Sequence, residues 1–291
     1  MMPRAYEFQR PWEAMFTVVQ WDQRLGGKTL ARNGIDSDAL TIASFVDDGL
    51  DLVAQLKARF PQAPIVLMGH SWGTVLAVEM VRRAPEQFAA YVAIGQVSDF
   101  LASERYGYAT VLAEAERRHN ASTVEKLSAF PNYGQGPLVA HEVATVRKAY
   151  VKHGFANHAT RRGLLWDMLQ GAFKSPDYGW LDLFSLVNFK AQMKAFAISL
   201  AELPHFHDRT AGSNLSCPMI MVGGQYDLFT PTPMAKAYFD TIEAPYKEFI
   251  EVAGLAHGGP LENAAFFEDL LRTRILPLMA AAEERPKTSK N

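Results

Sequence analysis

Apolar residues change their spacing along this chain in a way that separates strands from helices. Ile65, Val66, Leu67 and Met68 form an unbroken apolar run after Pro64, as expected of a strand covered on both faces. Between Thr41 and Phe60, Ile42, Phe45, Val46, Val53 and Leu56 recur at helical spacing, with Asp47, Asp48, Asp51 and Gln55 on the other side; this predicts an amphipathic helix stopped by Pro61 and Pro64. Thr74 to Arg82 reads as a second helix, and Tyr91 to Ile94 as the next buried strand. Phe16 to Trp21, rich in β-formers and followed by Gly26 and Gly27, reads as a strand entering a loop. Strand signals return at Met219 to Val222 and Phe249 to Val252. A closing helix is predicted from about Glu262 to Ala282, ahead of a polar end, Glu283 to Asn291, expected to fray. This alternation predicts an α/β domain whose mostly parallel sheet is flanked by helices.

From about Gln96 to about His207 the strand signal stops. Leu112 to His119, Ala140 to Tyr150, Arg161 to Phe173 and Phe189 to Leu203 are the better helical stretches. They predict a helical cap at 97–207, inserted between two parts of one core at 1–96 and 208–291. Trp166, Trp180, His153 and His158 fall in this insertion, where most aromatic residues serve packing and a minority are expected to face a pocket below.

Composition narrows the partners. Among 291 residues, 29 lysines and arginines nearly balance 31 aspartates and glutamates, and no basic block occurs outside Lys287 and Lys290, so a nucleic-acid partner is not expected. Cys217 is the only cysteine, which excludes an intrachain disulfide and a thiolate metal cluster and suits a cytoplasmic protein. Met1 to Arg10 lacks the apolar stretch of a secretory signal, and no apolar run approaches the roughly 18 residues of a membrane span. His205, His207 and Asp208 are the nearest approach to a metal-ligand pattern. Nothing elsewhere completes a coordination set, and neither a metal nor a cofactor is expected.

Candidate chemistry begins at Gly69, His70, Ser71, Trp72 and Gly73, a Gly-x-Ser-x-Gly sequence set between the Ile65 strand and the Thr74 helix. In that context a sharp strand-to-helix turn holds the serine hydroxyl above the sheet edge, and glycines are expected where side chains would strike neighbouring backbone. Ser71 is the candidate nucleophile. A serine hydroxyl needs a base, and the base needs an acid to fix its tautomer. Asp227, in the loop after Met219 to Val222, and His257, in the loop after Val252, answer in the order serine, acid, histidine. Taken alone, Asp227 could equally cap a helix or close an Asx-turn ahead of Pro231. His70, in the variable position of the turn, is expected to point away from the serine and to support it.

These residues resemble the α/β-hydrolase superfamily and, more narrowly, its prolyl aminopeptidase (proline iminopeptidase) branch. Asp22, Gln23, Arg24, Leu25, Gly26 and Gly27 look like that branch's Asp-Gln-Arg-Gly-x-Gly loop with Leu25 in place of the first glycine, and Trp72 looks like its elbow tryptophan. Epoxide hydrolases and haloalkane dehalogenases share the fold but carry aspartate at the elbow. The resemblance implies a Ser71–His257–Asp227 triad, the Trp72 backbone N–H as one oxyanion donor, and a small-molecule or short-peptide substrate cleaved through an acyl-enzyme. It also implies strands and a His-Gly-Gly-Pro loop ahead of Phe16. The residues before Phe16 leave no room for them, so the expectation is a sheet truncated at its N-terminal side, a Phe16 strand shifted or poorly paired against the Ile65 strand, and a missing second oxyanion donor. Losing one such donor costs roughly 10²- to 10³-fold in turnover. Glu104, Glu114, Glu116 and Glu202 are the candidates to hold a substrate amine, although solvated helix-surface glutamate is the plainer reading of each. A carboxylesterase acting on small acyl esters, or a catalytically impaired relic serving as a binding protein, are the competing readings.

Overall fold

The computed structural model describes residues 5–34, 40–155, 175, 182 and 188–283. The helix expected over 161–173, together with Trp166, Trp180, His158 and the tail beyond 283, lies outside them. In chain order the main elements are α1 (Ala5–Gln9), α2 (Gly27–Asn33), α3 (Ile42–Arg59), β1 (Val66–His70), α4 (Trp72–Arg83), β2 (Ala90–Ile94), α5 (Phe100–Arg117), α6 (Ala121–Ser128), α7 (Ala140–His153), α8 (Phe189–Glu202), α9 (Phe206–Thr210), β3 (Met219–Gly224), α10 (Thr232–Thr241), β4 (Lys247–Val252), α11 (Ala264–Leu270) and α12 (Leu276–Glu283). No element from α5 to α9 is a strand among the described residues.

The four strands pair in the order β1-β2-β3-β4, all parallel, with Gly69 opposite Ala93, Ile94 opposite Val222 and Gly224 opposite Val252. Alternation along each strand divides the core. Tyr91, Ala93, Met219 and Met221 pack on one face with α3, α4 and α10, whereas Val92, Ile94, Ile220 and Val222 pack on the other with Phe267, Leu270 and Ile275. Every residue of β2 is buried, which explains why that strand reads as a continuous apolar run. Each large side chain fully enclosed in this way contributes about 1.5–3 kcal/mol relative to exposure.

Phe16 to Trp21 does not form a strand. The segment makes no ladder with any described strand, yet Phe16 and Val18 pack on one cluster and Trp21 on the other. Its apolar residues cover the sheet without joining its hydrogen bonds. β1 is consequently an edge strand of the described sheet.

Local chemistry sets the helix limits. Thr41 and Ser44 close a reciprocal capping box at the start of α3, each side chain accepting from the other's backbone N–H. The closing helix runs as expected but opens into a wide π turn over Leu271–Ile275 between α11 and α12. Pro277 follows at once; it lacks an N–H and its ring crowds the preceding turn, so a widened turn lets the helix continue. In the helical stretch, Val111, Leu127, Val143, Val146 and Tyr150 from α5, α6 and α7 share a third cluster with Leu228 of the β3–α10 loop.

Candidate active site

Ser71 leaves β1 at φ 53 and ψ −121, a conformation L-residues rarely adopt, and its backbone opens α4. The turn is pinned from two sides: Ser71 N–H donates to Ile94 O at 2.9 Å, and Thr74 Oγ1 donates to Ser71 O at 2.6 Å. A Cβ on Gly69 would lie 2.7 Å from Gly73 O and 2.9 Å from Thr74 Cα, so the close crossing of strand and helix requires glycine there. The expectation for Gly73 is corrected. A Cβ at Gly73 would meet open space, and it is the Gly73 carbonyl that crowds Gly69.

The structure brings Ser71, His257 and Asp227 together from the ends of three strands. Ser71 Oγ lies 2.9 Å from His257 Nε2, and His257 Nδ1 lies 2.9 Å from Asp227 Oδ2. Asp227 is buried and accepts from the backbone N–H groups of Phe229 (2.8 Å) and Thr230 (2.9 Å) at Oδ1, and from Thr230 Oγ1 (2.6 Å) at Oδ2. The Asx-turn and the partnership with His257 therefore coexist, one per carboxylate oxygen. Burial pushes the carboxyl upward, but His257 and Thr230 outweigh it and hold Asp227 below the ordinary aspartate value, so it is a carboxylate at neutral pH. Thr230 escaped the sequence reading; its position three residues after Asp227 was the available signal.

His70 points away from the serine hydroxyl and contacts the histidine loop. Its Nε2 lies 2.7 Å from His257 O, and since a carbonyl only accepts, Nε2 carries the proton. Burial, reinforced by His257, lowers His70 from 6.5 to about 4. An unfolded chain then takes up a proton near pH 6.5 that the folded chain refuses until about pH 4, so this residue makes stability fall as pH drops through that window. At pH 5 the loss is about 2 kcal/mol relative to neutral pH. His70→Gln, whose amide can reach the same carbonyl, is expected to remove that part of the pH dependence; urea unfolding of both proteins at pH 7 and pH 5 measures it.

Two sequence motifs prove to be one structural unit. Trp72 Nε1 donates to Gln23 Oε1 at 3.1 Å, tying the Asp22–Arg24 loop to the serine turn. In that loop Lys28 N–H donates to Asp22 Oδ2 at 2.9 Å, and Arg24 Nη2 donates to Asp48 at 2.7 Å. Leu25, standing where the resemblance expects glycine, sits at φ 63 in the left-handed region that favours glycine.

Three of the four candidate amine-binding glutamates are engaged within the protein. Glu104 is no solvated surface residue: it is 3% exposed, accepts from Arg147 Nη2 at 2.7 Å and takes the Tyr133 hydroxyl on its other oxygen. Glu114 accepts from Arg117 and Arg118, and those bonds, acting against burial, hold it near 2. Glu202 accepts from Ile42 N–H at the start of α3, and Glu116 alone is exposed as expected. His153 is buried among the α5–α7 helices, and burial lowers its affinity for a proton. His205, His207 and Asp208 lie along a short helical stretch, and no set of three ligating side chains occurs among the described residues. None of the described helices is long and apolar enough to cross a membrane.

A family model described as serine aminopeptidase, S33, matches residues 12–174, a span that holds the Asp22 loop and the serine turn. The Bacillus subtilis (strain 168) protein named "Probable aminopeptidase YbaC" is 27% identical over 267 residues, covering 91% of this chain and 81% of that one. Among solved structures, the esterase EaEST from Exiguobacterium antarcticum matches with a TM-score of 0.58 at 14% identity, over 94% of this chain and 86% of that one. A thermophilic esterase from Thermogutta terrifontis matches with a TM-score of 0.52 at 17% identity, over 84% and 75%. At such identities these two speak to architecture alone, and the architecture is the α/β-hydrolase fold.

Proposed function

Because the chain belongs to the serine aminopeptidase family S33, we propose that it is a serine hydrolase working through Ser71, His257 and Asp227. The observation that carries the reading is the continuous chain of contacts from Ser71 Oγ through the imidazole to a buried carboxylate, 2.9 Å at each step. His257 Nε2 takes the serine proton as Oγ attacks the substrate carbonyl, and Asp227 holds the proton on Nδ1 and balances the imidazolium that forms. Trp72 N–H, at the first position of α4 where a helix leaves its N–H groups without intrahelical partners, faces the developing oxyanion. His257 then protonates the leaving group, and water releases the acyl chain from Ser71.

For the substrate we favour an N-terminal residue amide, as in a prolyl aminopeptidase; the family and the name of the Bacillus relative support it. The second reading, a carboxylesterase on small acyl esters, is favoured by the glutamates, since Glu104, Glu114 and Glu202 are already bonded within the protein. A free amine discriminates between them. A charge-assisted contact to that amine should give L-proline p-nitroanilide a kcat/KM at least about tenfold above that of its N-acetyl form. Equal or absent turnover of the two anilides, with p-nitrophenyl butyrate hydrolysed, would replace the aminopeptidase by the esterase.

A further inference from the structure

An aromatic contact beside His257 plays no part in the scheme above. The Phe229 ring lies against the imidazole with centroids 4.8 Å apart and planes 23° from parallel. Tyr150 meets Phe229 edge-on at 5.4 Å, and the Arg147 guanidinium carbon stands 5.6 Å from the Phe229 centroid. Arg147 and Tyr150 are three residues apart on α7 and so share a side of that helix. Both are held from α5. Glu104 binds Arg147, and Gly107 makes room for Tyr150, since a Cβ there would come 2.2 Å from the tyrosine hydroxyl.

Glu104 is buried and Arg147 half-buried, and an ion pair in such a place is a poor way to gain stability, because desolvation consumes much of the attraction. What Glu104–Arg147 does achieve is a fixed address for the guanidinium over Phe229. An imidazole that must align Nε2 with Ser71 and Nδ1 with Asp227 has one useful orientation, and a displacement of about 1 Å can cost a hundredfold in rate. Phe229, whose own N–H donates to Asp227 Oδ1, covers one face of the imidazole, where a ring turning out of that orientation would meet it. We propose that Phe229 is a positioning residue for His257, seated by Arg147 and Tyr150, so that the α5–α7 helices control the geometry of the imidazole. The inference rests on the serine-hydrolase reading, and its test separates the two.

The hydrogen-bonded Nδ1 proton of His257 is expected to give a downfield proton NMR signal, which reads ring position without any substrate. Phe229→Leu is expected to broaden this signal or speed its exchange, and to lower kcat about ten- to a hundredfold with KM within about twofold. Phe229→Tyr should restore both. Arg147→Lys, which keeps a charge beside Glu104 but loses the planar group over the ring, should fall between. A Phe229→Leu protein with the wild-type signal overturns the proposal, whether its kcat is unchanged or its KM has risen through loss of a substrate contact. A signal that changes in Phe229→Leu while the wild type hydrolyses nothing upholds the positioning role and defeats the hydrolase reading.

Discussion

Ser71→Ala is expected to lower kcat by about 10⁴- to 10⁶-fold and to leave the fold unchanged. The hydroxyl's partner is His257 Nε2, whereas the serine turn is held by backbone atoms and by Thr74, so deleting Oγ removes the proposed nucleophile without loosening the turn. The residual rate would come from the oxyanion donor and substrate binding. Stability should change by less than about 1 kcal/mol, since a small polar atom is lost and no core packing is touched. Turnover of the best anilide or ester, with urea unfolding of both proteins, measures the two halves of this expectation.

Asp227→Asn should cost about 10⁴-fold in kcat at neutral pH, for a reason readable from its neighbours. Oδ1 faces two backbone N–H groups that can only donate, so an asparagine must turn its oxygen to them and its NH₂ toward His257. Nδ1 then has to accept, the imidazole proton moves to Nε2, and Nε2 loses the lone pair that would take the serine proton. The side chain is isosteric, so the loss is one of tautomer rather than shape. Asp227, held below its ordinary value of 3.8, contributes stability that is present above that pH and lost as pH falls through the folded value; the asparagine variant lacks this step. kcat measured at neutral pH and unfolding measured at several acidic pH values check both parts.

Legibility from sequence followed what sequence patterns physically report. Runs such as Tyr91 to Ile94 identified strands because a parallel strand is buried on both faces. The same kind of run misled at Phe16 to Trp21, since an apolar run reports burial and is silent on hydrogen-bond pairing. The meeting of Ser71, Asp227 and His257 was legible because the chemistry proposed for them requires loops at strand ends. Glu104 was not: its partners Arg147 and Tyr133 lie 43 and 29 residues away, and nothing near it in sequence marks a buried glutamate. Phe229 was hidden in the same way, as its contact with His257 spans two loops that only the sheet order β3-β4 makes adjacent.

The central question is whether His257 makes Ser71 nucleophilic. Incubation with a fluorophosphonate, followed by intact mass and peptide mapping, asks this without assuming a substrate. The structure predicts a single adduct on Ser71, formed at least about a hundredfold more slowly in His257→Ala. No adduct on folded protein, or labelling at an undiminished rate in His257→Ala, would contradict it.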